Sequence, residues 1–161
     1  FLSADDIKAL VKQLGKEIER DYAGKEIVLI CPLKGSVLLL ADLCRHIGLK
    51  QTVDFVHLTS PKREGVRILK DISIDITKKH VLIVEEILDA GRTLSFLRSR
   101  LLASNPASLK IVALLDKPAR RELPIKPDYV GRTIDDRFVV GYGLDSEEVG
   151  RNYKDIYNYA N

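Results

Sequence analysis

The stretch HVLIVEEILDAGRTLSFLRSRLLAS, residues 80–104, decides the fold. His80–Glu85 is a short apolar run ending in a carboxylate and reads as a buried strand. Thr93–Ser104 reads as a helix. Between them Glu85, Glu86 and Asp89 crowd three carboxylates against Ala90-Gly91-Arg92-Thr93, a turn suited to an anion. A strand that feeds a tight turn and then a helix belongs to an alternating strand–helix chain.

Outward from this stretch the alternation continues. Ser3 is a candidate helix cap with Asp5 and Asp6 in the first turn, and Ile7, Leu10, Val11, Leu14 and Ile18 recur at helical spacing until Ala23-Gly24. Residues 26–31 read as a buried strand, 36–47 as a helix ended by Gly48, 51–58 as a strand, 66–72 as a strand returning from a loop, and 109–115 as another buried strand. Segments 128–134 and 137–143 follow in strand-like pieces. The loop TSPKREG, 59–65, is polar, charged and broken by Pro and Gly, the best candidate for a mobile segment. The expected fold is therefore α/β, a mostly parallel twisted sheet flanked by helices, in one domain spanning residues 1–161. In such folds ligands bind at the carboxyl ends of the strands. The loops after residues 31, 85 and 115 should then share one edge, bringing Lys34-Gly35, the 86–93 segment and Asp116-Lys117 together.

Composition narrows the function classes. Lys and Arg number 26 against 23 Asp and Glu, a net charge of +3. No basic block marks a nucleic-acid surface, and a small anionic substrate suits this balance. No secretory leader and no apolar run of about 18 residues stands out, so a cytoplasmic protein without membrane contact is expected. Cys31 and Cys44 read as two thiols in a reducing compartment rather than a disulfide or metal pair.

The turn at 89–93 has a physical logic of its own. Helix N-termini present unsatisfied N–H groups and the positive end of the helix dipole, Gly91 lets a phosphate approach the backbone, and Thr93 and Arg92 add a hydroxyl and a charge. It is not a Walker loop, since GxxxxGK[ST] is absent. A capped helix with Thr93 as N-cap is the plain alternative. The carboxylates favour binding. Glu85 and Glu86 repel each other at the end of a buried strand, where stability alone does not place them. They can accept from two adjacent hydroxyls or hold a hydrated Mg²⁺ that bridges phosphates. A sugar phosphate satisfies all these groups at once.

VLIVEEILDAGRTL resembles the phosphoribosyl pyrophosphate signature of the phosphoribosyltransferases, in a form similar to the hypoxanthine–guanine branch. LKGSVLLLADLCRHI resembles that family's pyrophosphate-loop segment, and LLDKPARR and KPDYVGRTIDDRFVVGYGLDSEEVGRN resemble its purine-binding segments. The resemblance implies a type I fold with a small purine-binding hood from the N- and C-terminal segments. The implied reaction is Mg²⁺-dependent transfer of phosphoribose from phosphoribosyl pyrophosphate to a 6-oxopurine. It further implies these roles. Glu85 and Glu86 bind the ribose hydroxyls, and Asp89 is the general base near purine N7. Ala90, Gly91, Arg92 and Thr93 cradle the 5′-phosphate. Lys34 and Gly35, after a cis peptide, hold pyrophosphate with Arg151 and a lesser candidate, Arg121. Lys117 meets the 6-oxo group, Phe138 stacks on the base, and the Val139 backbone reads its edge. Asp145 lies near Mg²⁺ and purine, so Glu85, Glu86 and Asp145 form the implied metal set. A homo-oligomer, dimer or tetramer, is implied as well.

Three positions depart from the family pattern. Glu86 stands where relatives usually have Asp, Ala90 where they usually have Thr, and Ser60 is followed by Pro61 rather than Tyr in a shortened loop. Losing the Ala90-position hydroxyl removes a charge-assisted hydrogen bond of about 1.5–3 kcal/mol. A reduced lid predicts weaker catalysis or more leakage to water, with Lys62 and Arg63 as candidates for electrostatic substitution. These departures motivate the alternative of a catalytically weakened nucleotide-binding sensor or regulator. An RNA-binding regulator is disfavoured by the missing basic cluster, and a structural protein leaves the convergent acids unexplained.

Overall fold

The computed structural model describes residues 1–61 and 64–159. Helix α1 (Ala4–Asp21) starts at the expected cap: Ser3 Oγ accepts from the Asp6 N–H at 3.1 Å, and the Asp6 carboxylate accepts from the Ser3 N–H at 3.1 Å. This reciprocal pair satisfies two donors that the helix start leaves free. Strand β1 (Ile27–Leu33) leads into α2 (Val37–Cys44), then β2 (Gln51–Thr59) and β3 (Arg67–Lys70). Strand β4 (His80–Leu88) leads into α3 (Arg92–Leu102), then β5 (Ser108–Asp116), a 3₁₀ turn at Pro118–Arg120, β6 (Tyr129–Thr133), β7 (Val139–Val140) and β8 (Tyr157–Asn158).

The main sheet has the order β3-β2-β1-β4-β5-β6. All pairings are parallel except β2–β3, where the chain returns along the edge. Because β1 leads outward to β2 while β4 sits on its other side, the order reverses between β1 and β4. The crevice above that switch point is where such sheets bind ligands. Alternate residues of the central strands feed two cores. Leu29, Cys31, Leu82, Val84, Val112 and Leu114 pack with α1 and α2, while Val28, Ile30, Val81, Ile83, Ile111 and Ala113 pack with Leu94, Leu97 and Leu101 of α3. Each fully buried Leu or Ile contributes about 1.5–3 kcal/mol.

The N- and C-terminal segments meet, as the resemblance implied. Leu2 and Ile156 exchange backbone hydrogen bonds of 2.9 and 2.8 Å, and β7 pairs antiparallel with β8 in a separate small sheet. Leu2, Ile156, Val139, Tyr142 and Leu144 join the α1–α2 core and so hold this hood to the strand ends.

Local boundaries differ from expectation in physically readable ways. Helix α2 stops at Cys44 rather than 47, because His46 N–H bonds to Leu43 O and Ile47 N–H to Cys44 O, tightening the last turn. Strand β4 runs through both glutamates to Leu88, since its ladder with β5 continues to Leu88↔Asp116. Lys62 and Arg63 lie outside the described residues. Cys31 and Cys44 are both free, and burial pushes the Cys31 thiol up to about 12, leaving it unreactive. Among the described residues no helix is long and apolar enough to cross a membrane.

Candidate active site

The carboxyl ends of β1 and β4 form one floor. Glu85 and Glu86 end up bridged by Ser36, a buried hydroxyl just past β1. Ser36 Oγ lies 3.3 Å from Glu85 Oε2, makes a very short bond to Glu86 Oε2, and accepts from the Glu86 N–H at 3.2 Å. Gly35 explains its own residue type: a Cβ there would meet the Glu86 carboxylate, whose Cδ is 2.7 Å away. Burial raises both glutamates above the usual carboxylate range, and the negative charge of Glu86 adds to the rise at Glu85. A site that holds two carboxylates against their preference is suited to a diol or a cation.

This pair has a stability consequence. A carboxyl whose folded-state pKa exceeds its unfolded value stabilises the fold most when protonated, below the ordinary glutamate range. That contribution is lost as pH rises through the raised folded value. Glu86→Gln removes the repulsion, so without substrate its Tm should rise at pH 7.5, about 2–4 °C per kcal/mol relieved. The gain should shrink towards pH 4.5, and affinity for phosphoribosyl pyrophosphate should fall. Parallel thermal melts and a binding titration check both; an unchanged Tm at both pH values would contradict the repulsion.

The anion turn is built as a helix start. Gly91, at φ +88°, is the N-cap, and α3 begins at Arg92, one residue before the expected Thr93. No side chain caps it, so the plain reading of Thr93 as N-cap does not hold. The left-handed φ requires glycine or strains any other residue. Thr93, Ala90, Gly91, Arg92 and Asp89 all line one cleft of about 510 Å³ with Lys34, Gly35, Glu85, Glu86, Asp145 and Arg151. A larger, mostly apolar hollow of about 620 Å³ lies between α1, α2 and the hood, but it gathers none of these groups.

The segment after β5 clamps the turn from below. Lys117 N–H bonds to Leu88 O at 2.9 Å and Glu122 N–H to Ala90 O at 2.9 Å. Arg121 places Nη1 2.6 Å from Asp89 O, Nε 2.8 Å from Ile125 O, and Nη2 on the Asp116 carboxylate. Its donors are spent on the scaffold and it does not line the cleft, so the expectation that Arg121 faces pyrophosphate is corrected. Its neighbour Arg120 does line the cleft, with Nε 3.1 Å from Asp89 Oδ1. The Asp89 carboxylate raises the Arg120 pKa further above its ordinary value. Arg92 pairs instead with Glu122 at 3.2 Å.

On the facing wall the Leu33–Lys34 peptide is cis, as the resemblance implied. Lys34 Nζ contacts Glu148 Oε2 at 2.8 Å, and Arg151 Nη2 contacts Glu148 Oε1 at 3.2 Å and Asp145 Oδ1 at 3.5 Å. Arg151 Nη1 donates to Gly143 O at 2.8 Å, while its Nε–H is buried without a partner among the described residues.

The structure does not bring every expected residue into this cleft. Lys117, Phe138 and Val139 do not line it. Lys117 directly follows β5 with only 6% exposure, and Val139 is buried in β7. Phe138 is 52% exposed and meets Tyr159 edge to face at 5.4 Å. Ser36, Arg120 and Glu148 were not anticipated. Ser36 follows Lys34-Gly35 directly, and that adjacency was the available signal; Arg120 and Glu148 carry none beyond charge.

The implied metal set fits only in part. Among the described residues no group of three or more potential ligands gathers for an ion, so Glu85, Glu86 and Asp145 are not a ready-made cage. The paired glutamates do suit Mg²⁺, which binds one or two carboxylates and takes its remaining ligands from water and substrate phosphates.

Comparison with known proteins matches this geometry. The family model described as phosphoribosyl transferase domain matches residues 2–147. A hypoxanthine-guanine phosphoribosyltransferase of Staphylococcus aureus is 42% identical over 157 residues, covering 94% of this chain and 88% of the relative. A hypoxanthine phosphoribosyltransferase of Salmonella typhimurium is 46% identical over 147 residues, covering 87% and 83%. A crystal structure of a hypoxanthine-guanine phosphoribosyltransferase from Bacillus anthracis superposes with a TM-score of 0.95 at 44% identity, covering 99% of this chain and 96% of that one. A strand–turn–helix anion site at the switch point of such a sheet, together with matches of this extent, places the chain in the phosphoribosyl transferase domain family.

Proposed function

We propose that the protein transfers phosphoribose from phosphoribosyl pyrophosphate to hypoxanthine or guanine, giving IMP or GMP and pyrophosphate, a purine salvage reaction. The observation that carries this reading is the single cleft in which the Glu85–Glu86 pair, Asp89, the Gly91 helix start and the Lys34–Arg151 cations meet. Relatives of matching length that bear this activity in their names support it.

Each part then has a task. The N–H groups from Ala90 to Thr93 hold the 5′-phosphate, with Arg92 adding charge. Glu85 and Glu86 accept from the ribose hydroxyls, positioned by Ser36. Asp89 accepts the proton that purine N7 gives up on attack at C1′, while Arg120 steadies the other carboxylate oxygen. Lys34 and Arg151 balance the charge gathering on departing pyrophosphate. Glu85 and Glu86, with Asp145 nearby, are the residues that would hold Mg²⁺, which would supply Lewis-acid neutralisation of that leaving group. Lys117 donates to the 6-oxo oxygen and Phe138 covers the base. The chain works as one domain, in the cytoplasm, as a homo-oligomer, without nucleic acid or membrane.

An ammonium is donor-only, so Lys117 disfavours a 6-amino purine. Guanine and hypoxanthine should be used in preference to adenine by on the order of 10²-fold or more in kcat/KM. Initial rates with hypoxanthine, guanine, xanthine and adenine test this; equal use of adenine would remove Lys117 from its role.

A further inference from the structure

Among the described residues, Glu148 is the one carboxylate that touches both cations assigned above to pyrophosphate. Its Oε2 lies 2.8 Å from Lys34 Nζ and its Oε1 lies 3.2 Å from Arg151 Nη2. The two oxygens are spread across the two cations, as two oxygens of a pyrophosphate group would be.

The backbone around Glu148 is unusual for its sequence. Ser146 and Val149 bridge to each other, with N–H···O distances of 2.8 and 3.0 Å in the two directions. The two residues between them, Glu147 and Glu148, sit at φ +52° and +70°. A two-residue turn with both φ values positive strongly favours Asn-Gly. Placing two glutamates there breaks the local rule, and such breaks concentrate at functional positions. The turn is tied down by Asp145, whose Oδ2 accepts the Glu148 N–H at 2.9 Å.

The geometry points to Glu148 as an internal competitor for the pyrophosphate subsite, whose carboxylate must leave Lys34 and Arg151 before pyrophosphate, free or on the sugar, can take them. This inference rests on the reading of Lys34 and Arg151 as the pyrophosphate cations. Both ion pairs are largely exposed at the glutamate, so the carboxylate is weakly held and can swing into solvent without opening the core. When pyrophosphate leaves, the same carboxylate recovers the two cations, which favours release of product.

The test is binding of inorganic pyrophosphate, at fixed Mg²⁺, to the wild type, Glu148→Gln, Glu148→Ala, Lys34→Ala and the Lys34→Ala/Glu148→Gln double variant, by titration calorimetry. Exposed pairs of this kind contribute at most about fivefold each, so both Glu148 variants should bind about three- to tenfold tighter than wild type. About half of that gain, the share due to Lys34, should vanish when Glu148→Gln is added to Lys34→Ala, and in the single Glu148 variants the product-inhibition constant of pyrophosphate should fall by the same factor as its dissociation constant. If the wild type binds in a Lys34-dependent way and both Glu148 variants bind equally or more weakly, Glu148 is not a competitor. If Lys34→Ala binds as well as wild type and the Glu148 variants gain nothing, the subsite assignment itself falls, and the inference with it.

Discussion

Asp89→Asn will lower kcat for IMP formation by about 10²–10⁴-fold while leaving KM for phosphoribosyl pyrophosphate nearly unchanged. The substitution preserves shape but removes the group proposed to accept the purine proton. Asp89 lies at the start of the 89–93 turn, where Arg121 holds its carbonyl and the Lys117 N–H holds that of Leu88 just before it. Its side chain spends one oxygen on Arg120, and the other makes no hydrogen bond to the described residues, which leaves it available for the proposed role as base. On this proposed division of roles, in which the turn's N–H groups and the glutamate pair bind the sugar phosphate, the loss should appear in the chemical step. The Asp89–Arg120 pair is exposed, so the fold should lose no more than about 1 kcal/mol. Steady-state kinetics beside a thermal melt separates the two effects. An unchanged kcat would remove Asp89 from its role as base.

Arg121→Ala will cost about 3–5 kcal/mol of stability. The Arg121 and Asp116 side chains are only 13% and 11% exposed, and removing the guanidinium leaves a nearly buried carboxylate without its partner. The same change frees the Ile125 and Asp89 carbonyls that the guanidinium now satisfies. Because one of those carbonyls belongs to Asp89, the proposed base, kcat should fall along with stability. Arg121→Lys should recover little, since a single ammonium cannot reproduce the planar fork that serves several acceptors. Urea denaturation measures this; a loss below about 1 kcal/mol would mean that the clamp does not carry the turn.

The signals that the sequence displays openly are local ones. The cap at Ser3 and the Ile7–Val11–Leu14–Ile18 stripe make α1 readable, and continuous apolar runs mark β1, β4 and β5. The convergence of the Lys34 and Asp89 loops followed from the rule about strand ends, and the cleft contains both. Where a boundary moved, pairing decided it: the apolar run ends at Glu85, but β5 offers partners as far as Asp116, so β4 continues through Glu86 to Leu88. Contacts distant along the chain were not readable. Glu148 meets Lys34 across 114 residues, Ser36 meets Glu86 across 50, and no periodicity reports either. Arg121 shows the limit of inference by resemblance, because its neighbour Asp116 and two loop carbonyls claim the guanidinium that the family pattern pointed at pyrophosphate.

Of the departures from the family pattern, Glu86 is accommodated directly. Gly35 leaves room for its longer side chain, and Ser36 anchors the carboxylate. Ala90 lies in the cleft wall with its carbonyl held by the Glu122 N–H, so the turn keeps its shape without the hydroxyl.

The most direct test of the account measures nucleotide and pyrophosphate together. Hypoxanthine or guanine is incubated with phosphoribosyl pyrophosphate, with Mg²⁺ or with excess chelator, and both products are quantified over time. The account predicts one pyrophosphate released for each IMP or GMP formed, with turnover abolished by the chelator. No nucleotide at ample Mg²⁺, or pyrophosphate released without nucleotide, would contradict it.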